Sequence, residues 1–166
     1  MQTLRELGRY NAWANQRVFD ASKALSTAVL SAEAKGTYGS VQLTLAHLVE
    51  VEDIYLLMLK GRNPSDVTGD DNYLSHDADW FAQRSRELGA EYQELLATND
   101  ETWLVDRFTV PWFGFPMSHR DGLLQTWTHS GQHRSQILSE LGSHGIETPD
   151  IDYVYMLSLE HENAGS

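Results

Sequence analysis

Residues 128–136 have the sequence THSGQHRSQ, in which His129 and His133 stand four positions apart. They lie in a proline-free segment, residues 120–141, that is predicted to be helical. Side chains four apart on a helix differ by about 40° around its axis and by about 6 Å along it, so both imidazoles can reach one point. This spacing suits a metal ion, which binds imidazole nitrogen at about 2.0–2.1 Å. Surface or capping histidines are the alternative, because such pairs also arise by chance.

A third ligand has to come from another part of the chain, and His47 is the candidate. It lies in a second apolar segment that begins after the capping residue Ser40 and ends before Gly61. On a helical wheel His47 lies about 80° from the apolar stripe of its helix, and His133 makes a similar angle with its own stripe. Because flanking positions of this kind open towards solvent, we expect an accessible site rather than three sealed core histidines.

Composition and charge restrict the class of protein. The chain has 166 residues, of which 41% are hydrophobic and 22% charged, as in ordinary soluble proteins, and we expect one domain, residues 1–166. The formal net charge of −12 opposes contact with phosphate backbones, so no nucleic-acid partner is expected. No apolar run approaches the roughly 20 residues of a membrane span, so no membrane partner is expected either. The chain contains no cysteine and its first residues lack an apolar signal segment, which together predict a cytoplasmic protein.

Four long amphipathic segments predict an all-α protein, a four-helix bundle with long crossovers. The predicted helices cover residues 2–25, 40–60, 77–97 and 118–141, with Ser118 as the cap of the fourth; residues 26–39 and 61–76 are predicted to be loops. Residues 103–117, between the third and fourth helices, are rich in aromatic and β-branched side chains and predict a small hairpin or an extended segment. Its aromatic side chains either form a wall of a pocket or serve only to pack over one end of the bundle.

Two polar residues fall within the apolar stripes of predicted helices. A buried Asn11 needs partners for its amide, and it serves either to orient a ligand residue or to fix the register of its helix. A buried Arg134 needs a counter-charge. We predict that it pairs with Asp152 and thereby ties residues 151–159 to the bundle, whereas the residues from Glu160 onward are predicted to fray.

Four short motifs resemble the DinB/YfiT-like family over nearly the whole chain: YNAWAN at 10–15, AHLVEVE at 46–52, HSGQHRSQ at 129–136 and TPDIDY at 148–153. The resemblance implies a four-helix bundle whose metal ligands are His47, His129 and His133. Several members of the family transfer low-molecular-weight thiols to electrophiles, others resemble thiol-dependent isomerases, and many have no assigned activity. The motifs do not select among these reactions.

Three neutral imidazoles leave a divalent ion its full charge and an open position, at which bound water or a bound thiol loses its proton readily. The first hypothesis is therefore a metal-dependent enzyme that transfers a low-molecular-weight thiol to an electrophilic small molecule. The second is a metal-dependent hydrolase. Glu50, one turn from His47, is the candidate general base for hydrolysis; the alternative is that Glu50 is a solvated helix residue. The third hypothesis is a metal-binding stress-response protein without catalysis.

The remaining predictions concern the cofactor and the assembly. Zinc or nickel is the expected metal and iron is an alternative, because histidine ligands suit all three. The thiol is expected as a co-substrate, and no further cofactor is predicted. Tyr55 and His119 are further residues that could approach the site. The number of aromatic residues and the family resemblance predict a homodimer that acts on a small-molecule substrate.

Overall fold

The computed structural model describes residues 1–64, 73 and 76–164. Its long helices and its hairpin agree with the predicted all-α architecture, and two further helices are present. The elements are α1 (Gln2–Ser22), α2 (Thr27–Ser31), α3 (Val41–Leu59), α4 (Ala78–Thr98), a 3-10 turn (Trp103–Val105), β1 (Arg107–Thr109), β2 (Pro116–Ser118), α5 (His119–Ser143) and α6 (Tyr153–Ala164). The short helix α2 corrects the prediction that residues 26–39 are all loop. The predicted crossover at 61–76 lies mostly outside the described residues.

The long helices begin at capping residues that the sequence indicates. The Ser40 hydroxyl accepts a hydrogen bond from the backbone N–H of Leu43 at the start of α3. Ser118 and Asp121 form a capping box at the start of α5, in which each side chain accepts from the backbone N–H of the other residue. These caps satisfy backbone donors that the first turn of a helix leaves free, so they set where the two histidine-bearing helices begin.

The four long helices form a bundle in which sequence neighbours are not always spatial neighbours. Helix α1 packs against α4 and α5, and helix α3 packs against the same two helices. Consequently α1 and α3 lie on one diagonal of the bundle, and α4 and α5 lie on the other. The chain crosses the bundle end twice, after α1 and after α4, which is why both connections are long.

The core lies between the four long helices and consists mainly of leucine, valine and phenylalanine. Its fully buried members include Val18, Phe19, Leu45, Leu48, Leu56, Phe81, Leu88, Leu96, Leu123, Ile137 and Leu141. Helices α1 and α4 approach so closely that a Cβ atom added at Gly89 would lie 2.7 Å from the Cβ of Ala12. In the described part of the chain, no helix combines the length and the apolar character needed to cross a membrane.

The aromatic segment between α4 and α5 forms a small antiparallel hairpin, as predicted. Strand β1 pairs with β2 so that Arg107 lies opposite Ser118 and Thr109 opposite Pro116. At the tip, the backbone N–H of Gly114 donates to the carbonyl of Val110 at 2.9 Å, and Gly114 has a φ of +70°, which favours glycine. The hairpin therefore ends in a hydrogen-bonded tip, residues 110–115.

The carboxyl-terminal helix α6 lies against α1. The Tyr10 hydroxyl donates to the backbone carbonyl of Ile151 at 2.9 Å, just before the helix begins. Further along, Arg9 forms an ion pair with Glu160. The prediction that residues from Glu160 onward fray is wrong for residues 160–164, because α6 continues to Ala164, and residues 165 and 166 lie outside the described part of the chain.

Candidate metal centre

The structure brings together the three histidines that the sequence singled out. His47 comes from α3 and the other two from α5, and these helices pack side by side. His129 Nε2 lies 3.1 Å from His47 Nε2 and 3.1 Å from His133 Nε2, and the candidate ligand atoms of all three lie within 4.8 Å of one another. Two nitrogens bound to one ion are about 3.3 Å apart at the tetrahedral angle and about 2.9 Å apart at a right angle. The two short contacts therefore have the spacing of ligands that share an ion.

The ring of His133 is oriented by the next turn of α5. His133 Nδ1 lies 2.7 Å from Oε1 of Gln136, and a carbonyl oxygen only accepts, so Nδ1 carries the proton and donates. The lone pair of His133 is then on Nε2, the atom that faces the other two histidines. His129 Nδ1 is buried and has no hydrogen-bond partner among the described residues.

Burial favours the neutral form of the two histidines on α5. It lowers the pKa of His129 to about 4, and the adjacent His133 and His47 rings add to this shift. Burial also lowers the pKa of His133, against the opposing effect of its hydrogen bond to Gln136. Both imidazoles are thus neutral near pH 7, which is the form that binds metal ions.

Two of the three histidines line a pocket of about 400 Å³ that opens to solvent. His47 and His129 line it, and Glu50 stands beside them with its carboxylate Oε2 3.9 Å from His47 Nδ1, which is longer than a hydrogen bond. Tyr55 also lines the pocket. His119 is not among the lining residues; instead its ring packs 4.4 Å from that of Trp103.

Aromatic side chains form much of the rest of the pocket. Tyr38 stacks on His47, with ring centroids 4.0 Å apart and planes 4° from parallel. Trp112 of the hairpin tip makes a T-shaped contact with Tyr55, with ring centroids 6.4 Å apart, and Phe113 beside it also lines the pocket. We call these four residues (Tyr38, Tyr55, Trp112 and Phe113) the aromatic wall. Of the two roles predicted for the hairpin aromatics, the structure thus shows that of a pocket wall. Tyr38, which the sequence did not indicate, also lines the pocket.

A buried polar network lies between α1, α3 and α5. Its centre is Glu52 of α3, whose side chain is 1% exposed. Oε1 of Glu52 accepts hydrogen bonds from Asn11 Nδ2 at 2.9 Å, Asn15 Nδ2 at 2.8 Å and the Ser130 hydroxyl at 2.6 Å. These contacts join α1, α3 and α5. We call this group, together with Arg134, the Glu52 network.

Arg134 completes the Glu52 network, and the predicted pairing of Arg134 with Asp152 is wrong. Nη1 of Arg134 donates to Oδ1 of Asn11 and to Oδ1 of Asn15, both at 2.6 Å. The two amides therefore link a buried cation to a buried carboxylate through hydrogen bonds. The hydrogen bonds of the Asn11 side chain go to Glu52 of α3 and Arg134 of α5, so they hold α1 against these two helices.

Sequence reasoning missed most members of the Glu52 network. Asn11 and Asn15 stand four apart in YNAWAN, one turn of α1, and Glu52 shares a face of α3 with the buried residues Leu48 and Leu56. Two amides on one helical face and a carboxylate in an apolar stripe were the available signals. Neither signal indicates by itself that the two helices meet at Arg134.

Comparisons with known proteins agree with this arrangement. The family model described as DinB family matches residues 1–164. Among solved structures, the chain is similar to YfiT from Bacillus subtilis, described as a probable metal-dependent hydrolase with an unusual four-helix bundle topology, at a TM-score of 0.73 and 13% identity, covering 89% of this chain and 90% of that one. At this identity the structural likeness supports the fold alone. The comparison with curated proteins finds no match. Because the family model covers nearly its whole length, the chain belongs to the DinB family.

Proposed function

We propose that this chain is a metal-dependent enzyme that acts on a small molecule, with His47, His129 and His133 as the ligands of a divalent ion. One observation carries the proposal: His129 Nε2 lies 3.1 Å from the Nε2 atoms of both other histidines, and His47 and His129 line an open pocket. The description of YfiT as a probable metal-dependent hydrolase supports it.

The donor set fits a catalytic ion. Three histidine nitrogens leave one position of a tetrahedral zinc site free, which is the pattern of catalytic rather than structural sites. An ion held there would act as a Lewis acid, which lowers the pKa of bound water to near 7 and deprotonates a bound thiol. Zinc or nickel is the metal we propose, with iron as the alternative, because imidazole ligands suit each of them.

Hydrolysis is the first candidate reaction, because a carboxylate lines the pocket beside the histidines. Glu50 lines the pocket on the same side as His47 and is partly exposed, so its carboxylate can accept a proton from water that enters there. Its acceptor oxygen is not taken up by a short hydrogen bond to His47, from which it is 3.9 Å away. Glu50 is therefore our candidate general base.

Transfer of a low-molecular-weight thiol to an electrophile is the second candidate. This reaction needs no general base once the thiol has lost its proton. The access of solvent to the pocket favours thiol transfer. Trp112 and Phe113, which line the pocket, are 52% and 63% exposed, so a second reactant can enter beside them. A homodimer and a small-molecule substrate stay predictions in either case.

The proposal is tested by metal analysis and by two assays on the same preparation. We expect stoichiometric divalent metal by elemental analysis after purification without chelator, and loss of metal in His47→Ala. Ester or amide cleavage that needs metal and no thiol would support hydrolysis. Metal-dependent consumption of free thiol in the presence of monochlorobimane would support transfer.

Two results would contradict the proposal. If His47→Ala still holds stoichiometric metal, the ligand assignment is wrong. If the metal-loaded protein shows neither activity over a broad panel of esters, amides and electrophiles, the chain is better described as a non-catalytic metal-binding protein, the third hypothesis from the sequence.

A further inference from the structure

The aromatic wall is formed by residues that are far apart in the chain and face one pocket. Tyr38 comes from the connection between α2 and α3, Tyr55 from α3, and the other two from the hairpin tip. Trp112 and Phe113 are each more than half exposed. Large exposed aromatic side chains that cluster beside a concave site are typical of ligand-binding grooves.

The hairpin tip is a fixed support for these side chains. The N–H groups of Phe113 and Gly114 both donate to the carbonyl of Val110, at 3.2 and 2.9 Å. Val110 itself is fully buried, so the tip is anchored on the bundle. Trp112 lines the pocket, and its ring makes a T-shaped contact with that of Tyr55. A planar group that enters the pocket would meet aromatic side chains whose backbone is already ordered, which lowers the conformational entropy lost on binding.

The charge on the pocket opposes anions away from the histidines. Among the described residues that line it, none is lysine or arginine, and Glu50 supplies a carboxylate. The chain as a whole carries a formal net charge of −12. A positive ion at the histidines would attract one polar group of a substrate. The part of the substrate along the aromatic wall would meet apolar surface and negative potential.

We propose, on the basis of the function proposed above, that the substrate class is a small molecule with two distinct ends. One end is a polar group that binds the ion held by His47, His129 and His133. The other end is a flat apolar group without negative charge, which packs between Tyr38, Trp112 and Phe113. Esters, amides or electrophiles of uncharged aromatic compounds have this form, whereas dicarboxylates and phosphorylated compounds do not.

Three hydroxamic acids test this inference on the zinc-loaded protein, since the hydroxamate group binds zinc and the remainder varies. Acetohydroxamic acid has no ring, benzohydroxamic acid has an uncharged ring, and 4-carboxybenzohydroxamic acid has a charged one. By isothermal titration calorimetry we expect benzohydroxamic acid to bind at least about tenfold more tightly than acetohydroxamic acid, from the apolar area it buries. We expect the carboxylated ring to lose most of that gain.

A matched pair of variants locates the effect. In the double variant Trp112→Ala with Phe113→Ala, the preference for the ring should fall below about threefold, because aromatic packing of this kind is worth about tenfold in affinity. Phe115→Ala should change the preference much less than the double variant does, because Phe115 is an exposed aromatic that packs beside Phe113, with ring centroids 5.9 Å apart, but does not itself line the pocket. Zinc stoichiometry and circular dichroism show whether each variant is folded.

The outcomes separate this inference from the proposed function. If benzohydroxamic and acetohydroxamic acids bind the zinc-loaded protein equally, or if neither binds, the inference is wrong while the metal centre stands. If the protein does not retain zinc, the proposed function fails first. If the double variant keeps its preference for the ring, the inference is overturned. If its oligomeric state in size-exclusion chromatography also changes, the hairpin aromatics serve an interface between protein chains. Should the double variant not fold, the comparison of the three probes on the unmodified protein still decides the question.

Discussion

Two consecutive residues of α3, Glu52 and Asp53, are both buried carboxylates, yet they have different kinds of partner. Among the described residues, the Glu52 side chain accepts only from neutral groups, two amides and a hydroxyl, and the cation Arg134 lies beyond the amides. Asp53 is paired directly with Arg84, whose Nε lies 3.0 Å from Oδ2, and also accepts from a tyrosine hydroxyl. The two sites lie on different sides of one helix.

The two carboxylates differ in their relation to the candidate metal centre. Arg84 is 24% exposed and also reaches Glu87 and Glu91 on its own helix, so the Asp53 pair joins α3 to α4 near solvent. Arg134 is 3% exposed and belongs to the helix that carries His129 and His133. We infer that the Asp53 pair contributes stability alone, whereas the Glu52 network also sets how α5 presents its histidines.

The largest expected effect is that of Glu52→Ala. Removing the carboxylate leaves the buried Arg134 without a counter-charge and the two buried amides of Asn11 and Asn15 without their acceptor, which costs about 3–5 kcal/mol of unfolding free energy. We also expect weaker zinc binding, because α5 loses its attachment to α1 and α3 beside His129. Urea denaturation and zinc titration against a chelating dye measure the two effects.

A conservative variant is the control for this prediction. Glu52→Gln keeps an oxygen that can accept from Asn11, Asn15 and Ser130, so it should retain more stability and more zinc affinity than the alanine variant. If Glu52→Ala binds zinc as tightly as the unmodified chain under conditions in which it is folded, the Glu52 network has no influence on the histidines.

Asp53→Ala should have the second-largest effect on stability and none on zinc binding. We expect a loss of about 1–3 kcal/mol, because Arg84 keeps water and two glutamates as partners when the aspartate is removed. The same denaturation and titration experiments apply. A fall in zinc affinity comparable to that of Glu52→Ala would show that the two carboxylates are not functionally distinct.

The features of the fold and of the candidate metal centre that can be predicted from the sequence are those that depend on residues close together in the chain. The four-residue spacing of His129 and His133 and the capping residues Ser40 and Ser118 depend only on helix geometry and on neighbouring backbone donors. The placement of His47 was reached by combining helical-wheel position with family resemblance. The long helices followed from apolar periodicity, whereas α2, with five residues, is too short to produce one.

There is a physical reason why the partners of Arg134 could not be predicted from the sequence. A buried cation requires compensation, but charge alone does not say which residues supply it, and Asp152 was as plausible as any carboxylate. The actual partners, Asn11 and Asn15, are neutral and more than a hundred positions away. They meet Arg134 because α1 and α5 are neighbours in the bundle, and that adjacency depends on the diagonal crossovers, which no local pattern encodes.

Ser130→Ala removes a single contact of the Glu52 network and should have a smaller effect. The Ser130 hydroxyl donates to Glu52 at 2.6 Å and Glu52 keeps its two amide donors, so we expect a loss of about 1 kcal/mol in unfolding free energy. Thr126→Ser, one turn earlier and also buried, changes a core residue without touching Glu52 and is the control for zinc titration. A zinc affinity that falls in both variants alike would mean that α5 is sensitive to any core change.

Gln136→Ala should have the smallest effect on stability and a clear effect on zinc binding. Gln136 is only partly buried, so its removal should change the unfolding free energy by less than about 0.5 kcal/mol. Its carbonyl, however, accepts the Nδ1 proton of His133 and keeps Nε2 free to bind an ion. Losing a hydrogen bond of this kind typically weakens metal binding by about 10–100-fold.

The matched control is Gln132→Ala, an exposed glutamine one turn earlier on the same helix, which should leave zinc affinity unchanged. Together with Glu52→Ala, this pair of variants distinguishes two ways of positioning a histidine. The Glu52 network attaches the whole of α5 to the bundle, so its loss is measured mainly in the unfolding free energy. Gln136 orients the ring of His133 alone, so its loss is measured only in zinc affinity. Equal zinc affinities for Gln136→Ala and Gln132→Ala would leave attachment of the helix as the way in which α5 positions His133.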